Sequence, residues 1–203
     1  MKGMRLEDQH TVPVIGLHKV TVFDFHRNMA KASSVERQIQ GLIAQGRPHR
    51  NRKQYEYLTE KLKDLCAENE ETVKNLVALR TRSIIAQRLG SVNTYSLNLT
   101  HGAVGTGTAT PLASDTQLAA EIARVEKASV DDSNVDNGII IISFFWSRNS
   151  FANAAVAEFG NFVDATASAN SGRLSSHILF SGTINKTAQK TLTVDSTYTV
   201  TSG

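Results

Sequence analysis

The chain has 203 residues, 40% of them hydrophobic, and its formal net charge of +3 combines a basic half, residues 1–100, with an acidic half, residues 101–203. The longest apolar stretch, Ile139–Trp146 interrupted by Ser143, is shorter than the about 20 residues of a membrane-spanning helix, so we expect no membrane contact. Cys66 is the only cysteine, which excludes an internal disulfide bond and a cysteine-based zinc site.

Residues 1–31 are expected to form an extended arm. Met1–Leu6 is charged and no apolar stretch follows it, so we expect no secretory signal peptide. Valine, isoleucine and phenylalanine then alternate loosely with polar residues around Pro13 and Gly16, and Thr21–Phe25 is a candidate strand. Such an arm could lie on a neighbouring subunit.

Residues 32–90 are predicted to form a helical assembly region. Apolar residues recur at helical spacing over residues 32–45, and Gly46 and Pro48 end this helix. A second helical pattern runs from Lys53 to Leu89, with a candidate break near residues 68–71. Two arrangements would cover its apolar stripe, which are a helical hairpin within the chain and long helices packed against another subunit.

Residues 91–203 are predicted to form a β-sandwich domain. Strand periodicity begins at Tyr95, and further strands are predicted at residues 139–147, 155–163, 173–181 and 190–201. Ser114 precedes Gln117 by three residues, as in a capping box, which predicts one short helix after the first strand. The predicted fold class is therefore α+β, with an N-terminal helical hairpin or long helices followed by an antiparallel β-sandwich with one short inserted helix.

Glu158 is the acidic residue that the sequence singles out, because it lies in a predicted strand among apolar neighbours. A buried carboxylate needs a partner, and Arg124 is the candidate for a structural ion pair. A catalytic role would need a second carboxylate across a cleft, for which we find no candidate.

The remaining polar motifs do not match a known type of chemical site. The run Gly105-Thr106-Gly107 lacks the third glycine of a dinucleotide fingerprint and the Gly-Lys-Ser/Thr of a phosphate-binding loop, so a turn is favoured. The spacing of the histidines suits no metal motif. We therefore predict a protein that is not an enzyme, with no catalytic residues, no metal site and no cofactor.

A basic run at Arg47, Arg50, Arg52 and Lys53 is a candidate interaction patch. Basic side chains bind nucleic-acid phosphates, but this run has no interleaved aromatic residues and matches no nucleic-acid-binding motif. A solvated tip, or docking onto an acidic neighbouring protein, is therefore favoured over nucleic-acid binding.

A series of short motifs occurs over residues 75–203. Their order along the chain is Asn75–Leu89, Ala103–Pro111, Ser114–Leu118, Glu121–Arg124, Glu158–Phe162, Ile184–Thr187 and Leu192–Val194. In this order they resemble the motifs of a family of small virion proteins of tailed bacteriophages, written GTGTTxP…DTxLxxEIxR with later EIGLF-like and INKT…LTVxWxIT strands. The sequence departs from that pattern at Phe159, Asn161 and Ser196.

The resemblance implies a structural protein of the virion, associated with the tail, baseplate, collar, neck or a fibre, and no catalytic residues. We expect a homo-oligomer whose partners are other virion proteins, namely tail, baseplate, neck or capsid-vertex subunits. It further suggests that Asp115, next to Ser114, caps the inserted helix, and that Glu121 and Arg124 belong to an ion pair that fixes it. Two alternatives stay open, a receptor- or carbohydrate-binding fibre module and a nucleic-acid-associated protein that uses the basic run.

Overall fold

The computed structural model describes residues 14–92, 94–151 and 153–200, apart from the side chains of Arg27 and Leu76. The three α-helices are α1 (Met29–Ile43), α2 (Arg52–Cys66) and α3 (Leu79–Leu89). The strands are β1 (Val14–Asp24), β2 (Ala67–Lys74), β3 (Leu76–Val77), β4 (Leu99–Gly105), β5 (Glu121–Asp131), β6 (Ile139–Trp146), β7 (Ala154–Val163), β8 (Arg173–Lys186) and β9 (Lys190–Val200).

All nine strands belong to one antiparallel sheet that nearly closes into a barrel. The strand order is β2-β1-β9-β6-β5-β4-β7-β8-β3. Strands β2 and β3, which are consecutive in the chain, therefore lie at opposite ends of the sheet. Asn75 connects β2 to β3, and its backbone N–H donates to the carbonyl of Gly16 on β1 at 2.9 Å. The backbone N–H of Ser181 on β8 also donates to the carboxylate of Glu71 on β2 at 3.3 Å, which brings the two ends of the sheet together.

The inside of the barrel contains the main hydrophobic core. Strand period 2 sends alternate residues of β6 inward, among them Phe144 and Trp146, which are fully buried. Their rings pack against Phe159 of β7, with centroids 5.9 and 6.0 Å away. Each such side chain contributes about 1.5–3 kcal/mol to folding by leaving water.

Helices α1 and α2 cover part of the outer face of the sheet. The apolar residues of α2 recur every three or four positions, so one face of the helix is buried while the other is polar. That face and the matching face of α1 enclose a second core with Phe23 of β1 and Phe145 of β6.

The predicted fold class is wrong, because the structure contains a single barrel-like sheet with three short helices rather than a helical half followed by a two-sheet sandwich. All three predicted segments, residues 1–31, 32–90 and 91–203, contribute strands to the sheet within their described residues. The first strand pairs with the last over its whole length, from Val14 opposite Val200 to Asp24 opposite Lys190.

One local prediction is confirmed in part and another is wrong. The candidate break near residues 68–71 is present, since α2 ends at Cys66 and α3 begins at Leu79. The break contains a strand, because the polar segment Ala67–Lys74 pairs with β1 and places Glu70 beside Lys19, with N and O atoms 2.9 Å apart. The short inserted helix is absent from the described residues, since 106–120 is irregular and Glu121–Asp131 forms β5.

Candidate functional site

The connection between β4 and β5, residues 106–120, folds back over the outer face of the sheet. The backbone N–H of Thr106 donates to the carbonyl of Ala120 at 2.9 Å, which closes the loop at its base. Leu118 of the loop packs against Phe162 and Leu174 in a third, smaller core. This loop covers β4, β7 and β8 in the way that α1 and α2 cover β1 and β6.

Glu158 lies on β7 beneath this loop and is fully buried. Its Oε1 accepts hydrogen bonds from the backbone N–H groups of Gly107 at 3.0 Å and Ala120 at 2.7 Å. Its Oε2 accepts from the N–H of Ala119 at 3.0 Å and from Nε2 of His177 at 2.9 Å. Both carboxylate oxygens are therefore used to hold the loop and the histidine.

His177 lies between two carboxylates. Its Nδ1 donates to Oδ2 of Asp115 at 2.8 Å, while its Nε2 donates to Glu158. Burial lowers the pKa of His177, but the hydrogen bonds to the two carboxylates outweigh burial and raise the net pKa above its ordinary value. Burial likewise raises the pKa of Glu158, but the bonds from His177 and the loop N–H groups bring it below its ordinary value. Both pKa shifts favour the charged form, that is the imidazolium of His177 and the carboxylate of Glu158.

Asp115, Glu158 and His177 together form what we call the loop clamp. A general base needs a free lone pair at hydrogen-bonding distance from a substrate proton. In the loop clamp both ring nitrogens already donate to carboxylates, and Glu158 has no exposed surface. Charge-assisted hydrogen bonds contribute about 1.5–3 kcal/mol each, so the arrangement serves to fix residues 106–120 on the barrel.

The glycines of the Gly-Thr-Gly run make room for this carboxylate. A Cβ atom at Gly105 would lie 2.3 Å from Oε1 of Glu158, and one at Gly107 would lie 2.5 Å from the same atom. The predicted turn is wrong, since Gly105 ends β4 and neither Gly105 nor Gly107 has a positive φ. The backbone nevertheless passes closely, and the side chain of Glu158 occupies the space.

The remaining residues predicted for this region lie near the loop clamp but in a separate pair. Arg124 pairs with Glu121, with N–O distances of 2.9 and 2.7 Å, and its guanidinium stacks 4.0 Å from the centroid of the Phe162 ring. The predicted Arg124–Glu158 pair is thus wrong. Ser114 is exposed, and Asp115 accepts a hydrogen bond within a turn instead of capping a helix.

The predicted interaction patch lies where α1 turns into α2. Arg47, Arg50 and Lys53 are exposed there. Arg52 is different, because its guanidinium pairs with Asp131 of β5 and ties the turn to the sheet. The structure brings the four residues together at one end of the helix pair and leaves three of them facing solvent.

A polar network inside the barrel was missed from the sequence. His18 contacts the hydroxyls of Ser196 and Ser176 at 2.8 and 3.2 Å, and Nδ2 of Asn161 donates to Ser196 at 3.0 Å and to the hydroxyl of Tyr198 at 2.8 Å. Burial lowers the pKa of His18 to about 3, so its ring is neutral. Two of these residues, Asn161 and Ser196, depart from the phage-family pattern. That departure was the only sequence feature that could have indicated the network.

Lys186 is a second buried group that the sequence did not indicate. Its Nζ donates to the backbone carbonyls of Phe151 at 2.7 Å, Arg148 at 3.2 Å and Thr187 at 3.3 Å. Burial lowers its pKa to about 8. This lysine connects β8 to the β6–β7 connection and is a structural group.

No known protein family has a model that matches this sequence, and no curated protein or solved structure is significantly similar to it. Across residues 14–92, 94–151 and 153–200, none of the helices combines the length and apolarity needed to cross a membrane. The same residues contain no group of three or more His, Cys, Asp and Glu side chains arranged to hold a metal ion.

Proposed function

We propose that this protein is a structural subunit of a tailed-phage virion and that it acts by assembling with other subunits. The virion assignment rests on the order of the motifs over residues 75–203. The assembly assignment is supported by an apolar region on the outside of the barrel, which is the observation that carries the proposal.

This region consists of two rows of directly paired residues across β1, β9 and β6. We call it the outer strip, and its rows are Ile15–Thr199–Ile139 and Leu17–Thr197–Ile141. Intervening residues such as His18 face the interior. Ile15 and Leu17 are 39% and 42% exposed, and the other four residues are partly exposed. Further along the same outer face, α1 and α2 cover Phe23 and Phe145.

The size and chemistry of the outer strip favour a protein partner. Fully burying one isoleucine or leucine contributes about 1.5–3 kcal/mol, so four half-buried ones would contribute about 3–6 kcal/mol on contact. The threonines between them have short side chains and lose little entropy on burial. Contiguous exposed apolar surface on a soluble protein commonly marks an interaction site.

The loop clamp supports a role as a rigid scaffold. Motif segments of the phage-family resemblance contribute Gly107, Asp115 and Glu158, which lie together at the clamp. These residues are engaged with one another rather than with open solvent. The motifs are thus well suited to holding a loop in one conformation, which a subunit needs if its surfaces are to fit neighbours repeated by symmetry.

The assembly proposal is tested by the mass of the purified full chain, measured by analytical ultracentrifugation over a range of concentrations. We expect a mass above the 22.1 kDa of one chain. The double variant Ile15→Lys/Leu17→Lys should shift the protein to the monomer, because lysines prevent burial of the strip. Leu112→Lys is the matched control, since Leu112 is 59% exposed on the distant loop. A double variant that keeps the wild-type mass would contradict the role of the strip.

The virion proposal needs a separate measurement on particles. Virions of a phage that encodes this chain should contain it at a fixed copy number, measured by quantitative mass spectrometry after gradient purification. A chain that is monomeric in solution and is missing from purified particles would overturn the proposed function.

A further inference from the structure

A pocket of about 260 Å³ lies between α3 and the beginning of β8. Its lining residues are Arg80, Ser83, Ile84, Gln87, Tyr95 and Arg173. The lining residues that belong to α3 recur at spacings of three or four, so they share one face of the helix. We propose that this pocket binds a carboxylate side chain of an acidic polypeptide segment.

Two guanidinium groups line the pocket. That of Arg173 stacks 4.7 Å from the centroid of the Tyr95 ring and donates to its hydroxyl, which holds the guanidinium plane in place. Neither Arg80 nor Arg173 has a carboxylate partner among the described residues. A fixed guanidinium offers two parallel N–H donors that match the two oxygens of a carboxylate.

The surroundings of the pocket are positive. No aspartate or glutamate occurs between Glu71 and Asp115, while α3 contains three arginines. Asp164 follows the end of β7, and its carboxylate accepts a hydrogen bond from the backbone N–H of Ser96 at 2.8 Å rather than pairing with Arg80 or Arg173. The guanidinium groups of Arg80 and Arg173 therefore attract an anionic ligand.

One feature favours a polypeptide over a nucleic acid. Oε1 of Gln87 is buried and accepts no hydrogen bond from the described residues. A buried acceptor needs a donor, and a peptide supplies backbone N–H groups next to its carboxylates, whereas the donors of a nucleic acid lie on its bases and sugars and not on its anionic phosphodiester group. Ile84 provides an apolar pocket wall, and Leu79 and Leu89, which are 51% and 84% exposed, lie at the two ends of the same helix. These apolar groups suit the aliphatic parts of a peptide.

The identity of the peptide's parent protein is a separate matter from the binding itself. The assignment of the segment to a neighbouring virion subunit rests on the proposed function. The binding of an acidic peptide group by this pocket is independent of the proposed function, because the outer strip and this pocket share no residue.

The test is an NMR titration of the ¹⁵N-labelled full chain with N-acetylglutamate, which combines carboxylates with one amide N–H. We expect saturable shifts of the amides of α3 and Tyr95 with a Kd on the order of 1 mM. Arg80→Gln should weaken binding about tenfold, because it removes one charged hydrogen-bond donor. Arg82→Gln is the matched control, since it makes the same charge change at an exposed position of the same helix, and it should stay within about twofold.

Two outcomes would overturn the proposal. The first is a non-specific charge effect, which would be indicated by amide shifts that do not saturate up to the solubility limit of N-acetylglutamate, or by Arg80→Gln and Arg82→Gln weakening its binding equally. The second is binding of inorganic phosphate or a thymidine oligonucleotide at these residues more tightly than N-acetylglutamate, which would make the pocket a phosphate site. Neither outcome bears on the solution mass that tests the assembly proposal.

Discussion

Acid should destabilise the barrel through His18, which is fully buried in the inner polar network. Burial holds the pKa of its ring at about 3, against 6.5 in an exposed histidine. Below pH 6.5 the unfolded chain therefore binds a proton that the folded chain does not bind until about pH 3. Stability from this residue is complete above pH 6.5 and falls as the pH decreases.

The size of the effect follows from the pKa difference. Each pH unit below 6.5 costs about 1.4 kcal/mol of folding free energy until the folded ring is protonated. At about pH 4.5 the loss is about 3 kcal/mol, which is a large part of the 5–15 kcal/mol stability typical of a domain. The variant His18→Gln lacks the titrating group, so we expect its stability to depend less on pH.

Urea unfolding monitored by Trp146 fluorescence measures this effect, because Trp146 is the only tryptophan and is fully buried. The free energy of unfolding of the wild type minus that of His18→Gln should fall by about 3 kcal/mol between pH 7.5 and 4.5. The control variant His26→Gln changes an exposed histidine and should leave this pH dependence as in the wild type. A difference that stays constant with pH would refute the reasoning.

Two further predictions concern the loop clamp. Gly107→Ala should lower the free energy of unfolding by about 1–3 kcal/mol, because the added Cβ would lie 2.5 Å from Oε1 of Glu158. The control variant Gly182→Ala should change the free energy of unfolding by less than about 1 kcal/mol, because a Cβ at Gly182 would contact nothing within 4 Å. Equal effects in urea unfolding would contradict the close packing. Glu158→Gln should lower the free energy of unfolding by about 3–5 kcal/mol, because it leaves His177 and the loop N–H groups without their charged acceptor. In the same variant the backbone amide hydrogen of Ala120 should exchange with deuterium faster than in the wild type. Unchanged exchange would show that the clamp does not hold the loop.

The strands of the second half were predictable to within a few residues. Residues 139–147, 155–163 and 173–181 are short segments rich in apolar residues between connections rich in Asn, Ser, Gly and Asp, and the structure has β6, β7 and β8 there, with β8 extending further. Such a run between polar connections is a local property that a single sequence displays. The strand state of Ala67–Lys74 is not local, because its polar side chains carry no alternation and its pairing with β1 determines its conformation.

The candidate site was predictable in part for the same reason. Glu158 was recognised as a buried acid in need of a partner, since its apolar neighbours are adjacent in sequence. Its actual partner, His177, lies beside Gly160 only because of the register between β7 and β8, which includes two irregularities. Arg124 was the candidate partner, but it belongs to β5 and pairs with Glu121. Register across strands decides such pairs, and no local pattern specifies it.

The pairing of β1 with β9 has a consequence for biosynthesis. Every contact in this ladder joins residues that are far apart in sequence, from Val14 with Val200 to Asp24 with Lys190. β1 must therefore wait until β9 has been synthesised before the barrel can close, and contacts so distant in sequence slow folding. Until then the edge of β1 that pairs with β9 is open. An open strand edge can pair with another copy of the chain, so slow closing of the barrel favours aggregation during folding.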